Sequence, residues 1–203
     1  MKQNKVIEKE YSAIILAAGK SERMGFPKLS LKYDEKCIFI EHIIHEYLRF
    51  NCKEIILVVN VFGFEYLKNN KNKFPDNVQI VINKHPEWHR FYSLKIGAKN
   101  LSENKPTFIH NVDNPFVNPD VLKELSNNIN KADYISPEFK GKGGHPFLIS
   151  EKVIKEIAQT EEDQKHLKEF LNQYSRLKIK VDDEKILANI NTLGEYNRYF
   201  KNN

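Results

Sequence analysis

Cysteine is scarce in this chain of 203 residues. The two that occur, Cys37 and Cys52, lack Cys-x-x-Cys spacing, which excludes a disulfide scaffold and a zinc ribbon and points to a reducing compartment. No stretch approaches the ~18 consecutive apolar residues that cross a bilayer, and the opening "MKQNKVIEKE" has no apolar signal core. A cytoplasmic protein without a membrane partner is the expectation. Dense basic blocks interleaved with aromatics are missing as well. Lys and Arg number 32 against 27 Asp and Glu, a formal net charge of +5, but the cations are scattered, which disfavours a nucleic-acid partner and suits small anionic ligands. There is no internal repeat and no low-complexity segment.

What is present is the composition of a globular domain, long enough to bury a core without metal or disulfide staples. A polar tail over 1–11 precedes one expected domain over 12–203. "SAIILA" is a short continuous apolar run of the kind made by a strand buried on both faces. From Phe39 to Phe50 the apolar residues fall at 39/40, 43/44 and 47/48, the spacing of an amphipathic helix. Alternation continues through a strand in "EIILVVN", a helix near 64–72, a strand in "VQIVI", a helix over about 90–100 and a strand in "TFIHNV". Beyond these come "DYISP" and an antiparallel excursion around "GGHPFLI". Charged helical segments at 151–158 and 163–173 and strands near 177–181 and 186–190 complete the pattern. Strand–helix–strand order implies parallel pairing with right-handed crossovers, hence an α/β, doubly wound, mostly parallel sheet of the Rossmann type with helices on both faces. Ligands of such sheets lie beyond the carboxyl ends of the strands, where the loops at 17–28 and 113–115 fall.

The first of those loops, "LAAGKSERMGFPK" at 16–28, contains the Gly-Lys-Ser of a phosphate-binding loop but not the rest of it. The glycine required five positions earlier is Ile14, and a dinucleotide fingerprint fails at Ser21 and Met24. What remains is a strand ending in two alanines and a glycine, over which an anion can approach backbone N–H groups. Lys20, Arg23 and Lys28 supply three cations in nine residues, a charge that suits a triphosphate. The plainer reading is a solvated turn.

The full stretch resembles the Leu-Ala-Ala-Gly-x-Ser-x-Arg-Met-Gly-x-x-Lys signature of MobA-like nucleotidyltransferases, in particular the molybdenum cofactor cytidylyltransferases. Other segments are similar to that family in order. Asn83, Trp88, Ser93, Leu94 and Gly97 follow its Asn-x-x-x-x-Trp-x-x-x-x-Ser-Leu-x-x-Gly segment. Asp113 and Pro115 match its metal-binding Asp-x-Pro, and Gly141, Gly144, His145 and Pro146 match its Gly-x-x-Gly-His-Pro. The resemblance spans 12–200. It departs at Asn189, Asn191 and Leu193, which stand where the family has an acidic signature, and at His89, Arg90, Phe91 and Tyr92, which replace small residues.

The resemblance implies a fold of the nucleotide-diphospho transferase type and a Mg2+-dependent reaction in which an acceptor phosphate attacks the α-phosphorus of a nucleoside triphosphate, releasing pyrophosphate. It implies CTP as donor, because Leu16-Ala17-Ala18-Gly19 is the cytidine-type form, and a phosphorylated pterin as acceptor, with transient contact with a molybdoenzyme or its chaperone. Arg23, Lys28 and Asp113 are then the expected catalytic residues. Leu16, Ala17, Ala18, Gly19, Lys20, Lys28 and Ser93 are expected to bind nucleotide. Trp88, Gly144 and His145 are expected to bind the acceptor, and Asp113 and Asn191 the metal, since an asparagine carbonyl can ligate magnesium. Two other readings stay open: transfer to a sugar phosphate or other phosphorylated alcohol, and nucleotide binding without catalysis.

Overall fold

The computed structural model describes residues 10–21 and 24–201. In chain order the elements are β1 (Ser12–Ala17), α1 (Phe39–Arg49), β2 (Glu54–Val59), α2 (Val61–Asn69), β3 (Val78–Ile82), α3 (His89–Lys99), β4 (Thr107–Asn111) and α4 (Pro119–Asn128). They continue as β5 (Tyr134–Phe139), β6 (Lys142–Gly143), β7 (Phe147–Ile149), α5 (Glu151–Gln159), α6 (Leu167–Leu171), β8 (Arg176–Lys180) and α7 (Leu193–Phe200). The strands form one sheet in the order β3-β2-β1-β4-β7-β5-β6, with β8 also paired to β5. Pairs β1/β2, β1/β4, β2/β3 and β5/β8 are parallel, whereas β7 runs antiparallel to both β4 and β5. The mostly parallel sheet and the antiparallel excursion both follow the sequence pattern.

Side chains of a strand alternate between faces, so each face of β1 feeds a different core. Ala13, Ile15 and Ala17 join the residues of α1 and α4, such as Tyr47 and Leu122. Ile14, Leu16 and Ala18 join those of α3, α5 and α6, such as Leu94, Ile154 and Phe170. Burial of such side chains contributes roughly 1.5–3 kcal/mol each, which is why the apolar runs at β1 and β2 have no polar face. Helix α3 comes close enough that a Cβ on Gly97 would stand 2.7 Å from Ile14 Cγ2; glycine is required there by packing.

Four differences from the sequence pattern have local causes. Helix α2 starts at Val61 rather than 64, because the Asn60 side chain accepts a hydrogen bond from the Gly63 N–H at 2.8 Å and so caps it. Helices α4 and α7 were not anticipated; each has a side-chain N-cap, Asn118 and Thr192 respectively. The helix expected over 163–173 is confined to Leu167–Leu171, since Asp163 is drawn 2.6 Å from the buried Lys95 ammonium and the segment before α6 stays a loop. The strand expected at 186–190 is a 3-10 turn over Glu184–Leu187, started by Asp183 accepting from the Lys185 N–H at 2.9 Å.

Candidate active site

Strand β1 has β2 on one side and β4 on the other, so the crossover connections leave the sheet in opposite directions here, and the carboxyl ends of these strands frame a crevice. The Val112 N–H donates to Leu16 O at 3.1 Å and keeps the two strand ends together. Above β1 the glycine loop is braced from β2: the buried Asn60 amide donates to Ala18 O at 3.2 Å and Gly19 O at 3.1 Å. A Cβ on Gly19 would meet nothing within 4 Å among the described residues. Among the described residues no neighbour demands glycine there, and that side of the loop is open. Ala18 is only 3% exposed and its methyl lies in the apolar cluster beneath α3.

Asp113 stands just past β4, and its backbone carbonyl accepts from the Ile190 N–H at 2.7 Å, which brings the C-terminal segment over the strand end. Lys28 Nζ lies 4.0 Å from Asp113 Oδ2 and donates to Asn191 Oδ1. Two oxygens from residues far apart in sequence thus turn toward one cation. Burial pushes the Asp113 carboxyl above its ordinary range, while the charges of Lys28 and Arg90 oppose the rise. Among the described residues no three His, Cys, Asp or Glu side chains gather as a metal cluster. The pair of Asp113 carboxylate and Asn191 carbonyl fits a hard divalent cation of the magnesium type, which takes oxygen ligands and retains waters, and does not fit a zinc-type site.

The turn that carries Asp113 is fixed from below. His110, fully buried on β4, has its Nε2 2.6 Å from Asn114 O and its Nδ1 3.0 Å from the Tyr47 hydroxyl. Because a carbonyl can only accept, Nε2 carries the proton and Tyr47 donates to Nδ1. Asn114, also buried, donates to Lys185 O and Ile186 O at 3.0 Å each. Burial pushes His110 down to about 4 and His145 down to about 3; both rings are neutral at pH 7.

A cleft of about 180 Å³ is lined by Leu16 through Gly19, Lys28, Ser93, Asp113 and Arg90. The Ser93 hydroxyl is held at its edge by the buried Asn83 amide, 2.9 Å away. An adjoining cavity of about 210 Å³ contains Gly144 and His145 together with Asp113 and Arg90. Most of the residues singled out in the sequence therefore meet around Asp113, and Asn191 joins them through Lys28. Trp88 and Lys20 line neither space: the Trp88 ring stacks on His85 at 4.2 Å and meets Tyr92 edge-on at 4.9 Å, whereas Lys20 is exposed on the loop. Arg23 lies outside the described residues. Gly144 has a packing requirement of its own, since a Cβ there would stand 2.5 Å from Ile186 O. Sequence reasoning missed three contributors. Asn60 and His110 carry only the weak signal of a polar residue in or just after an apolar strand, and Arg90 had figured merely as a departure from the family pattern.

Comparison with known proteins shows the family and the fold. Residues 13–177 match the MobA-like NTP transferase domain. The chain is 30% identical over 210 residues to a probable molybdenum cofactor guanylyltransferase of Clostridium perfringens, covering 94% of this chain and 96% of that protein. It is 25% identical over 183 residues to the molybdenum cofactor cytidylyltransferase of Escherichia coli K12, covering 90% and 92%. Among solved structures, Rv0371c from Mycobacterium tuberculosis H37Rv superposes with a TM-score of 0.80 at 19% identity, covering 95% of this chain and 98% of that one. The manganese complex of the same protein gives 0.75 at 17% identity, with 96% and 100% covered. With a family match that begins in the first strand and reaches into the last, the chain belongs to the MobA-like NTP transferases.

Proposed function

We propose that the protein transfers CMP from CTP to the phosphate of molybdopterin or of the metallated molybdenum cofactor, with release of pyrophosphate. The observation that carries this reading is the meeting of Lys28, Asp113 and Asn191 beside the glycine loop, where a triphosphate and a cation can share one crevice. An oxygen of the acceptor phosphate forms a bond to the α-phosphorus of CTP as the bond to the α–β bridging oxygen breaks, and pyrophosphate leaves with the electron pair. The nucleophile is anionic from the start, so no strong base is needed, and acceleration comes from positioning and charge stabilisation. That suits a site in which His110 and His145 are buried and neutral.

In this mechanism the Gly19 backbone and Lys20 meet phosphate oxygens, while Lys28 and Arg23 stabilise the charge that grows on the leaving pyrophosphate. Ser93 borders the nucleotide and His145 the acceptor. Asp113 and Asn191 are the residues that would hold Mg2+, whose chemistry there is neutralisation of charge at the α-phosphate. The choice of CTP rests on Ala17-Ala18 before Gly19; relatives named for guanylyl and for cytidylyl transfer both resemble the chain. The product would pass to a molybdoenzyme or its chaperone.

The test is pyrophosphate release by the purified protein with molybdopterin, Mg2+ and either CTP or GTP, alongside detection of the dinucleotide product. CTP is expected to give the higher kcat/KM. A preference for GTP would overturn the donor assignment, and no product from either nucleotide would overturn the acceptor.

A further inference from the structure

Selection between nucleotides by bulk requires a side chain that faces the ligand, and Ala18 does not supply one. Its methyl is buried in the apolar cluster that holds Phe91 and Leu94 of α3. Among the residues lining the cleft over the glycine loop, only Gly19, His89 and Arg90 are exposed. Gly19 has no side chain, and Arg90 also lines the cavity that holds Asp113 and His145, which His89 does not. His89 is therefore the exposed bulky group that belongs to this cleft alone of the two.

The backbone of His89 singles it out independently. It has φ 63° and ψ −170°, a combination outside the left-handed well and populated essentially by glycine. Asn51 and Lys71 also have positive φ, but each directly follows the cap of a helix, α1 or α2, where such a residue is ordinary. His89 instead opens α3. A strained residue on an exposed turn is often no more than a tolerated irregularity. Glycine, however, would hold the same backbone without steric cost, and the histidine stands where the family pattern has small residues. What the strain maintains is the ring. Packing does not account for it, since the residue is exposed and its aromatic neighbour, His166, is 6.1 Å away between ring centres.

We propose that His89 is a specificity-determining residue for the donor: its ring narrows the cleft of about 180 Å³ so that a pyrimidine nucleotide is admitted and the second fused ring of a purine is crowded. The inference rests on the nucleotidyl-transfer reading and adds the side chain that reads donor size. Two substitutions separate the ring from the strain. His89→Ala removes the ring and keeps a Cβ in the strained backbone, whereas His89→Gly removes both.

The experiment is calorimetric titration with CTP and with GTP in the presence of Mg2+ and without acceptor, so that its outcome does not depend on molybdopterin. The wild type should bind CTP about tenfold or more tightly than GTP, a ratio within reach of one bulky group in a pocket. In both variants the ratio should fall to about threefold or less, through tighter binding of GTP. The melting temperature of His89→Gly should exceed that of His89→Ala by about 2–4 °C. Equal binding or a GTP preference in the wild type, a ratio that survives either substitution, or a ratio lost only through weaker CTP overturns steric selection by His89. Equal melting temperatures of the two variants overturn the strain that sets this residue apart. If the ratio depends on His89 while molybdopterin yields no product, the inference stands and the acceptor falls; if the wild type binds neither nucleotide, both readings fall.

Discussion

Acid should weaken this fold through His110, and the effect can be worked out from its surroundings. The ring has no exposed surface, its Nε2–H is committed to the Asn114 carbonyl, and its Nδ1 is committed to the Tyr47 hydroxyl. Desolvation is the main cause of its fall from 6.5 to about 4. An unfolded imidazole takes up a proton below pH 6.5, whereas the folded one resists until about pH 4. The stabilisation is therefore complete above 6.5 and lost as pH falls through this window. A difference of that size corresponds to about 3.4 kcal/mol in all, of which about 2 kcal/mol should be gone between pH 7 and pH 5. Urea unfolding between pH 7.5 and 4.5 should give the wild type a steeper loss of stability than His110→Gln, by up to about 1.4 kcal/mol per pH unit near pH 5. His145 remains in both proteins, so its own contribution cancels in the comparison. Equal slopes would refute the reasoning. Should the variant not fold, a histidine NMR titration of the wild type is decisive: a His110 midpoint at or above pH 6 refutes it as well.

Other perturbations test the site. Asp113→Asn should reduce transfer by about 10² to 10³ or more without lowering the melting temperature at pH 7. Burial raises the pKa of this carboxyl, so its ionised form is a cost to the fold at neutral pH that the amide does not carry; near wild-type turnover at saturating Mg2+ would remove Asp113 from the metal. Lys28→Ala and Arg23→Ala should each lower kcat by about 10² to 10³, and a raised KM with unchanged kcat would reduce both to triphosphate binding. Gly144→Ala forces a Cβ against Ile186 O at 2.5 Å and should destabilise by about 1–3 kcal/mol, measured by chemical unfolding; a stability within error of wild type would show that the segment over Glu184–Asn191 yields freely.

The sequence by itself determined the layers and the strand-end loops. β1 from Ala13 to Ala17 and β2 from Ile55 to Val59 are apolar throughout because both faces of a parallel sheet are covered. Glycine after two alanines and aspartate before Asn-Pro mark where β1 and β4 end, so local pattern put Gly19 and Asp113 at one end of the sheet, and the family resemblance joined them with Lys28 in one site. Periodicity records only which face of an element is buried, and it is silent on which distant element covers that face. Only the tertiary structure set Asn191 against Lys28, 163 positions away, and Asn60 beneath the glycine loop, 42 positions from Ala18. The same packing withdrew the strand expected at 186–190, whose Ile186 carbonyl serves Asn114 and His145 instead of a sheet edge. It also turned Arg90 from an unexplained substitution into a residue shared by the cleft over the glycine loop and the cavity that holds Asp113 and His145. These placements follow from how α3, β4 and the C-terminal segment close over one end of the sheet, a long-range outcome of burying two cores at once.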